Sequence, residues 1–131
     1  MTLRPQLPSR FPCRIAIIGD MPSVEDVASG LLFIGRVGQE LNGWLRIAGI
    51  DRQECLFSNV LSFRPDRELV DELVSVNNIG PERQMPVMRG KYFPPAWYPE
   101  LDNLEQLLLQ YKPNVIVALG PLAVWALTGR I

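Results

Sequence analysis

Histidine is missing from all 131 residues of this chain, so no imidazole is available as an acid, a base or a metal ligand. Cysteine is scarce: Cys13 and Cys55 are the two present, without CxxC spacing or a secretory leader. That pattern argues against a disulfide framework and for buried thiols in a reduced, cytoplasmic setting. No apolar run is long enough for a membrane helix, and Met1 to Pro12, with prolines at positions 5, 8 and 12, does not read as a transit segment, so no membrane partner is expected. A surplus of either charge is also lacking. Thirteen basic against 14 acidic residues leave a net charge of −1, which advertises no nucleic acid, although a local patch suffices to hold phosphates on a neutral protein. Neither a G-x-G-x-x-G fingerprint nor a Walker lysine after a Gly-rich loop is present, so a generic nucleotide binder ranks low. No repeat or low-complexity tract divides the chain, and residues 1–131 read as one domain of ordinary globular composition, 47% hydrophobic.

What is present is an alternation of strands and helices. Arg14-Ile15-Ala16-Ile17-Ile18 is a short, continuous, β-branched apolar run, the pattern of a strand buried on both faces of a parallel sheet, and Gly19 stops it. Asp20 therefore sits at the carboxyl end of a strand, where ligands bind in open α/β sheets. Val37, Leu41, Trp44, Leu45 and Ala48 recur at helical spacing and predict a helix with one buried face, closed by Gly49. Cys55 to Phe63 reads as a second strand, stopped by Arg64-Pro65, with Ser58 and Asn59 inside it. Asp66 to Val76 predicts a short helix broken at Asn77-Asn78-Ile79-Gly80-Pro81, ahead of a long Pro- and Gly-rich loop. Leu101, Leu104, Leu107, Leu108 and Tyr111 mark an amphipathic helix. Val115-Ile116-Val117-Ala118-Leu119 then repeats the first strand, and Gly120-Pro121 opens a last helix over Leu122, Ala123, Trp125 and Ala126. The order β-α-β-(α)-α-β-α implies an α/β, three-layer α/β/α fold around a short central parallel sheet. Its first and third strands are expected at the centre.

One stretch carries more than fold. Gly19-Asp20-Met21-Pro22-Ser23-Val24-Glu25-Asp26 is followed by Gly30-Leu31-Leu32-Phe33-Ile34-Gly35-Arg36-Val37-Gly38-Gln39, then Ala48-Gly49-Ile50-Asp51-Arg52, Ser58-Asn59-Val60 and Arg64-Pro65. Together with Lys112 to Gly120 and Ala123 to Gly129, this series resembles the uracil-DNA glycosylase superfamily in order and over nearly the whole chain. It looks closest to the family-4 and phage DNA-polymerase-associated branch.

The resemblance implies a flipped-out nucleotide in DNA, carrying uracil or a modified base, whose N-glycosidic bond is hydrolysed during repair or phage DNA metabolism. It makes Asp20 the catalytic acid, able to position water or offset charge on the sugar, with helix capping as the alternative role. Phe33 corresponds to the aromatic that stacks on the base, with a core phenylalanine as the alternative. Asn59 corresponds to the asparagine that reads one edge of uracil; in an apolar strand it needs a ligand or a specific backbone partner. Gly19, Met21 and Gln39 complete the expected substrate-binding set, Gln39 with the Gly35 to Gly38 turn as a source of donors or as ordinary helix-start chemistry. Arg64 is a solvated arginine or a phosphate contact.

Departures from the family pattern set further expectations. Met21, Ser23 and Leu32 replace smaller or differently shaped residues. Family-4 enzymes hold an iron-sulfur cluster with four cysteines, so with only Cys13 and Cys55 no cofactor is expected. The superfamily normally continues into a further strand and a His-Pro-Ser motif that stabilises the departing uracil anion. Without that strand, an apolar sheet edge is left. It implies a chain cut short, a split protein completed by a partner, or self-association through the edge. A non-catalytic module that binds DNA, or docks on a replication or DNA-modification protein, is the alternative function.

Overall fold

The computed structural model of the chain describes residues 2–9, 13–79 and 85–129. Strand β1, Ile15–Gly19, sends Ala16 and Ile18 into one hydrophobic core and Ile17 into another. Two-sided burial is why the run is apolar at consecutive positions. β1 pairs in parallel with β2, Leu56–Asn59, and with β3, Val115–Leu119, in the order β2-β1-β3. The register sets Gly19 level with Asn59 on one side and Leu119 on the other, so three strand ends meet at one place.

Helices cover both faces. Helices α1, Val24–Ser29, and α2, Arg36–Ile47, follow β1; α3, Leu69–Glu72, follows β2; α4, Tyr98–Tyr111, and α5, Pro121–Thr128, flank β3. Leu41 and Leu45 of α2 close one face over Ile17, Phe57, Leu32 and Phe33. Leu104 of α4 and Leu122, Ala123 and Trp125 of α5 close the other, over Ala16, Ile18 and Leu56. The layers are those of the expected α/β/α fold.

Several local features differ from expectation for physical reasons. The second strand ends at Asn59 and does not reach Phe63: Val60 N–H continues the ladder to Gly19 O at 2.9 Å, but the next amide, Leu61 N–H, also donates back, to Asp20 O at 3.0 Å, so the alternation of a strand stops there. β3 lies at an edge of the sheet and not at its centre. Val115, Ile116 and Val117 are 54%, 41% and 36% exposed, since an apolar run does not reveal how many neighbours a strand acquires. The outer edge of β2 is covered instead, by Gln6, which exchanges two 2.9 Å backbone hydrogen bonds with Phe57.

The buried face of α2 is narrower than its periodicity suggests: Gly38, Leu41 and Leu45 are buried, whereas Val37 and Trp44 are exposed. α1 is set by a capping box that apolar spacing does not show: Ser23 Oγ accepts from Asp26 N–H, and the Asp26 carboxylate accepts from Ser23 N–H. The helix expected over Asp66–Val76 condenses to α3, followed by a 3-10 turn at Val76–Asn78. The break at Gly80-Pro81 lies outside the described residues.

Candidate functional site

A cavity of about 330 Å³ opens at the carboxyl end of the sheet, lined by Gly19, Asp20, Met21, Phe33, Asn59 and Leu119 among others. Its size falls at the lower end of small-ligand sites, roughly 300–1,000 Å³. Gly19 is its floor. A Cβ at that position would lie 2.5 Å from Asn59 Oδ1 and 3.0 Å from Phe33 Cζ, so only glycine lets the ring and the carboxamide close over the strand end. The Phe33 ring also packs on Phe57, centroids 5.5 Å apart and tilted by 54°. Phe33 itself has φ +55, a left-handed conformation that a side chain rarely adopts unaided.

Asn59 is buried, and its Nδ2 is the one buried side-chain polar atom without a hydrogen-bond partner among the described residues. Leaving such a donor unmet costs about 1–3 kcal/mol, which a ligand carbonyl would recover. A larger groove of about 710 Å³ runs between α4 and α5; leucine side chains and Trp125 form much of its wall, with Asp102 and Glu105, and no buried polar atom without a partner is found there among the described residues. The smaller cavity is therefore the chemically equipped one.

Asp20 lines the cavity and also caps α5. One carboxylate oxygen accepts from Ala123 N–H at 2.8 Å, and both oxygens stand 2.5 Å from where a Cβ on Gly120 would be. Gly120, at φ +113, leaves room for the acid. Burial pushes the Asp20 carboxyl above its ordinary range, while the Ala123 and Leu122 N–H groups oppose the rise by stabilising the anion. The capping role and the cavity position thus coexist, and the helix capped is α5, a hundred residues further along the chain.

Met21 is half-buried, lining the cavity while packing on the core under α4 and α5. Gln39 is not brought to the site. Its Nε2 donates to Ile34 O at 3.4 Å and its side chain does not line the cavity. Arg36 and Arg64 stand at the wall, Arg64 also donating to Pro22 O at 3.2 Å. Two residues without an assigned role in the sequence, Asp26 and Arg52, grip the loop that carries Phe33. The Ser-x-x-Asp pattern at 23–26 was a signal for the first; no local pattern marks the second.

A parallel α/β sheet with a cavity at the carboxyl ends of its strands is the open-sheet arrangement, in which that end is the usual place for a ligand. Residues 8–130 match the uracil DNA glycosylase superfamily, and the chain belongs to that superfamily. It is 31% identical over 110 residues to a type-4 uracil-DNA glycosylase of Thermotoga maritima, an alignment that covers 84% of this chain and 46% of the relative. The chain spans about half the length of that curated relative. Cys13 and Cys55 are both buried and free, and no group of three or more His, Cys, Asp or Glu side chains is gathered for a metal ion among the described residues. Two thiols do not fit a four-thiolate iron-sulfur cluster. No helix among the described residues is long and apolar enough to cross a membrane.

Proposed function

We propose that this chain recognises a flipped-out base in DNA, uracil foremost, and presents it for hydrolysis of its N-glycosidic bond. Asn59 carries the reading: a buried carboxamide with an unmet donor, beside an aromatic ring, at the end of a parallel sheet. Uracil offers an O4 acceptor and an N3–H donor along one edge, and a carboxamide donates to the first and accepts from the second. The Phe33 ring supplies a stacking face. Arg36 and Arg64 bring positive charge for the phosphates that flank an extruded nucleotide. Membership of the superfamily and the likeness to a type-4 enzyme support DNA as the partner and base excision as the process.

In the hydrolysis, the bond from the base nitrogen to C1′ breaks, its electron pair leaves on the base, a water oxygen adds to C1′, and the proton that the water loses ends on the departing base. Asp20, at the cavity wall, offsets as a carboxylate the positive charge that develops on the sugar; burial raises its carboxyl, and the N–H groups of α5 partly oppose that rise. A second reading, recognition without hydrolysis, draws on the same bond to Ala123, which gives Asp20 a structural task tying β1 to α5.

The test is binding to, and free-uracil release from, single- and double-stranded oligonucleotides carrying one uracil, with thymine in its place as the control. Release that disappears in Asp20→Asn supports hydrolysis. Preferential binding without release supports the second reading, and equal binding to the uracil and thymine strands overturns both.

A further inference from the structure

The geometry points to Arg52 and Asp26 as positioning residues that together set the backbone of Phe33 and, through it, the stacking face of the pocket. This rests on the base-recognition reading above, but the contacts that carry it are independent of any ligand. Arg52 Nη2 donates to Leu32 O at 2.7 Å, and Nη1 donates to Phe33 O at 3.1 Å. From the other side, the Asp26 carboxylate accepts from Phe33 N–H and from Ile34 N–H, both at 3.0 Å.

The consequence is geometric. The peptide between Leu32 and Phe33 is held at its carbonyl by the arginine and at its N–H by the aspartate. The next peptide, between Phe33 and Ile34, is held in the same way. Two pinned peptide planes leave φ and ψ of the residue between them no freedom, because those two angles are the only soft connection between the planes. Phe33 is therefore kept at φ +55, and the direction of its Cα–Cβ bond, which aims the ring at Gly19 and Asn59, is set by side chains from α1 and from the turn before β2.

Both side chains are themselves held. Asp26 is buried at the start of α1 and accepts from Ser23 N–H at 3.3 Å. Burial raises its carboxyl, yet the hydrogen bonds from Ile34, Phe33 and Ser23 outweigh this and hold it below its ordinary range. Arg52 donates in addition to Asn42 Oδ1 at 2.7 Å and Gln6 Oε1 at 3.3 Å, and its guanidinium lies 4.4 Å above the Phe57 ring, the same ring on which Phe33 packs. The four acceptors that this planar fork reaches outnumber the three donors of a lysine ammonium. Gly38 completes the seat, since a Cβ there would collide with the Phe33 carbonyl.

The test combines a ligand-free measurement with a binding cycle on the full chain. In Arg52→Lys and Asp26→Asn, amide hydrogen exchange at Phe33 and Ile34 is expected to quicken by at least about tenfold while that of Ile17 in β1 is unchanged. Equal exchange at Phe33 and Ile34 in the folded variants and the wild type overturns the clamp. The second readout is the preference for a single-stranded oligonucleotide with one uracil over the same strand with thymine. Arg52→Lys should lower that preference several-fold, yet by less than about twofold when Phe33→Ala is already present, because the arginine acts through the ring. Additive losses would overturn action through Phe33. If the wild type shows no uracil preference, the base-recognition reading fails, and the exchange measurement still decides whether Arg52 and Asp26 hold the loop.

Discussion

The two sides of the sheet are built to different degrees of closure. On the β2 side, Gln6 covers the strand edge, Phe57 and Cys55 are buried, and Arg52 and Asp26 leave no peptide group around Phe33 without a partner. On the β3 side, Val115, Ile116 and Val117 stand exposed, and the apolar groove between α4 and α5 is open. The residues proposed for recognition, Phe33 and Asn59, belong to the closed side; Asp20, tied to α5, belongs to the open one. Under the proposed function the pocket must discriminate between similar bases, which needs groups held to fractions of an ångström, and the closed side holds Phe33 in that way.

The sharpest way to break this comparison is a matched pair in one register. Ile17 of β1 lies level with Val117 of β3, the first 1% exposed and the second 36%. Ile17→Ala should cost about 2–5 kcal/mol, the range for deleting buried aliphatic atoms. Val117→Ala should cost less than about 1 kcal/mol, because its site is already half open. Urea unfolding of both variants checks the contrast, and equal losses would remove it.

Gly19→Ala comes next. Its Cβ cannot coexist with Asn59 Oδ1 at 2.5 Å, so the carboxamide and the Phe33 ring must move apart, and the uracil preference should fall by about tenfold, or about 1.4 kcal/mol. Equilibrium binding to the uracil and thymine strands measures it. A preference that survives would place recognition elsewhere.

The two aspartates sharpen the comparison through pH. Asp26 is held below its ordinary value of 3.8, so its contribution is complete above that value and is lost as the pH falls through the lower folded one. Asp20 is raised above 3.8, chiefly by burial, so its contribution is complete below that value and is lost as the pH rises through the higher folded one. The Tm difference between wild type and Asp26→Asn should therefore shrink with acidification, and that between wild type and Asp20→Asn should grow. Thermal melts from neutral to about pH 3 read both slopes. Slopes of the same sign would show that the two acids are not in opposite environments.

The fold was legible wherever a local pattern has one structural solution. Ile15 to Gly19 reads as a two-sided strand because both faces of a central strand are covered, and Leu41 and Leu45 read as a helix face because α2 has a single core to cover. Ser23 reads as a departure from a family pattern, and the Ser-x-x-Asp spacing also marks the cap it forms, but that Asp26 reaches on to the Phe33 and Ile34 amides is not written in that spacing. β3 misled for the opposite reason: its sequence matches that of β1, yet the number of neighbours beside a strand is not written in the strand.

The same division holds at the site. The sequence by itself determined that an acid follows the first strand, that an asparagine sits at the end of an apolar one, and that glycines flank a phenylalanine, because residue type and chain order are local properties. Tertiary structure alone decided that Gly19 is the shared floor of Phe33 and Asn59, that Asp20 caps a helix a hundred residues away, that Gln39 stays outside the cavity, and that Arg52 seats the loop carrying Phe33. Each of these depends on which distant backbone groups arrive within hydrogen-bond or van der Waals distance, and that is settled only when parallel strands come into register and the helices dock.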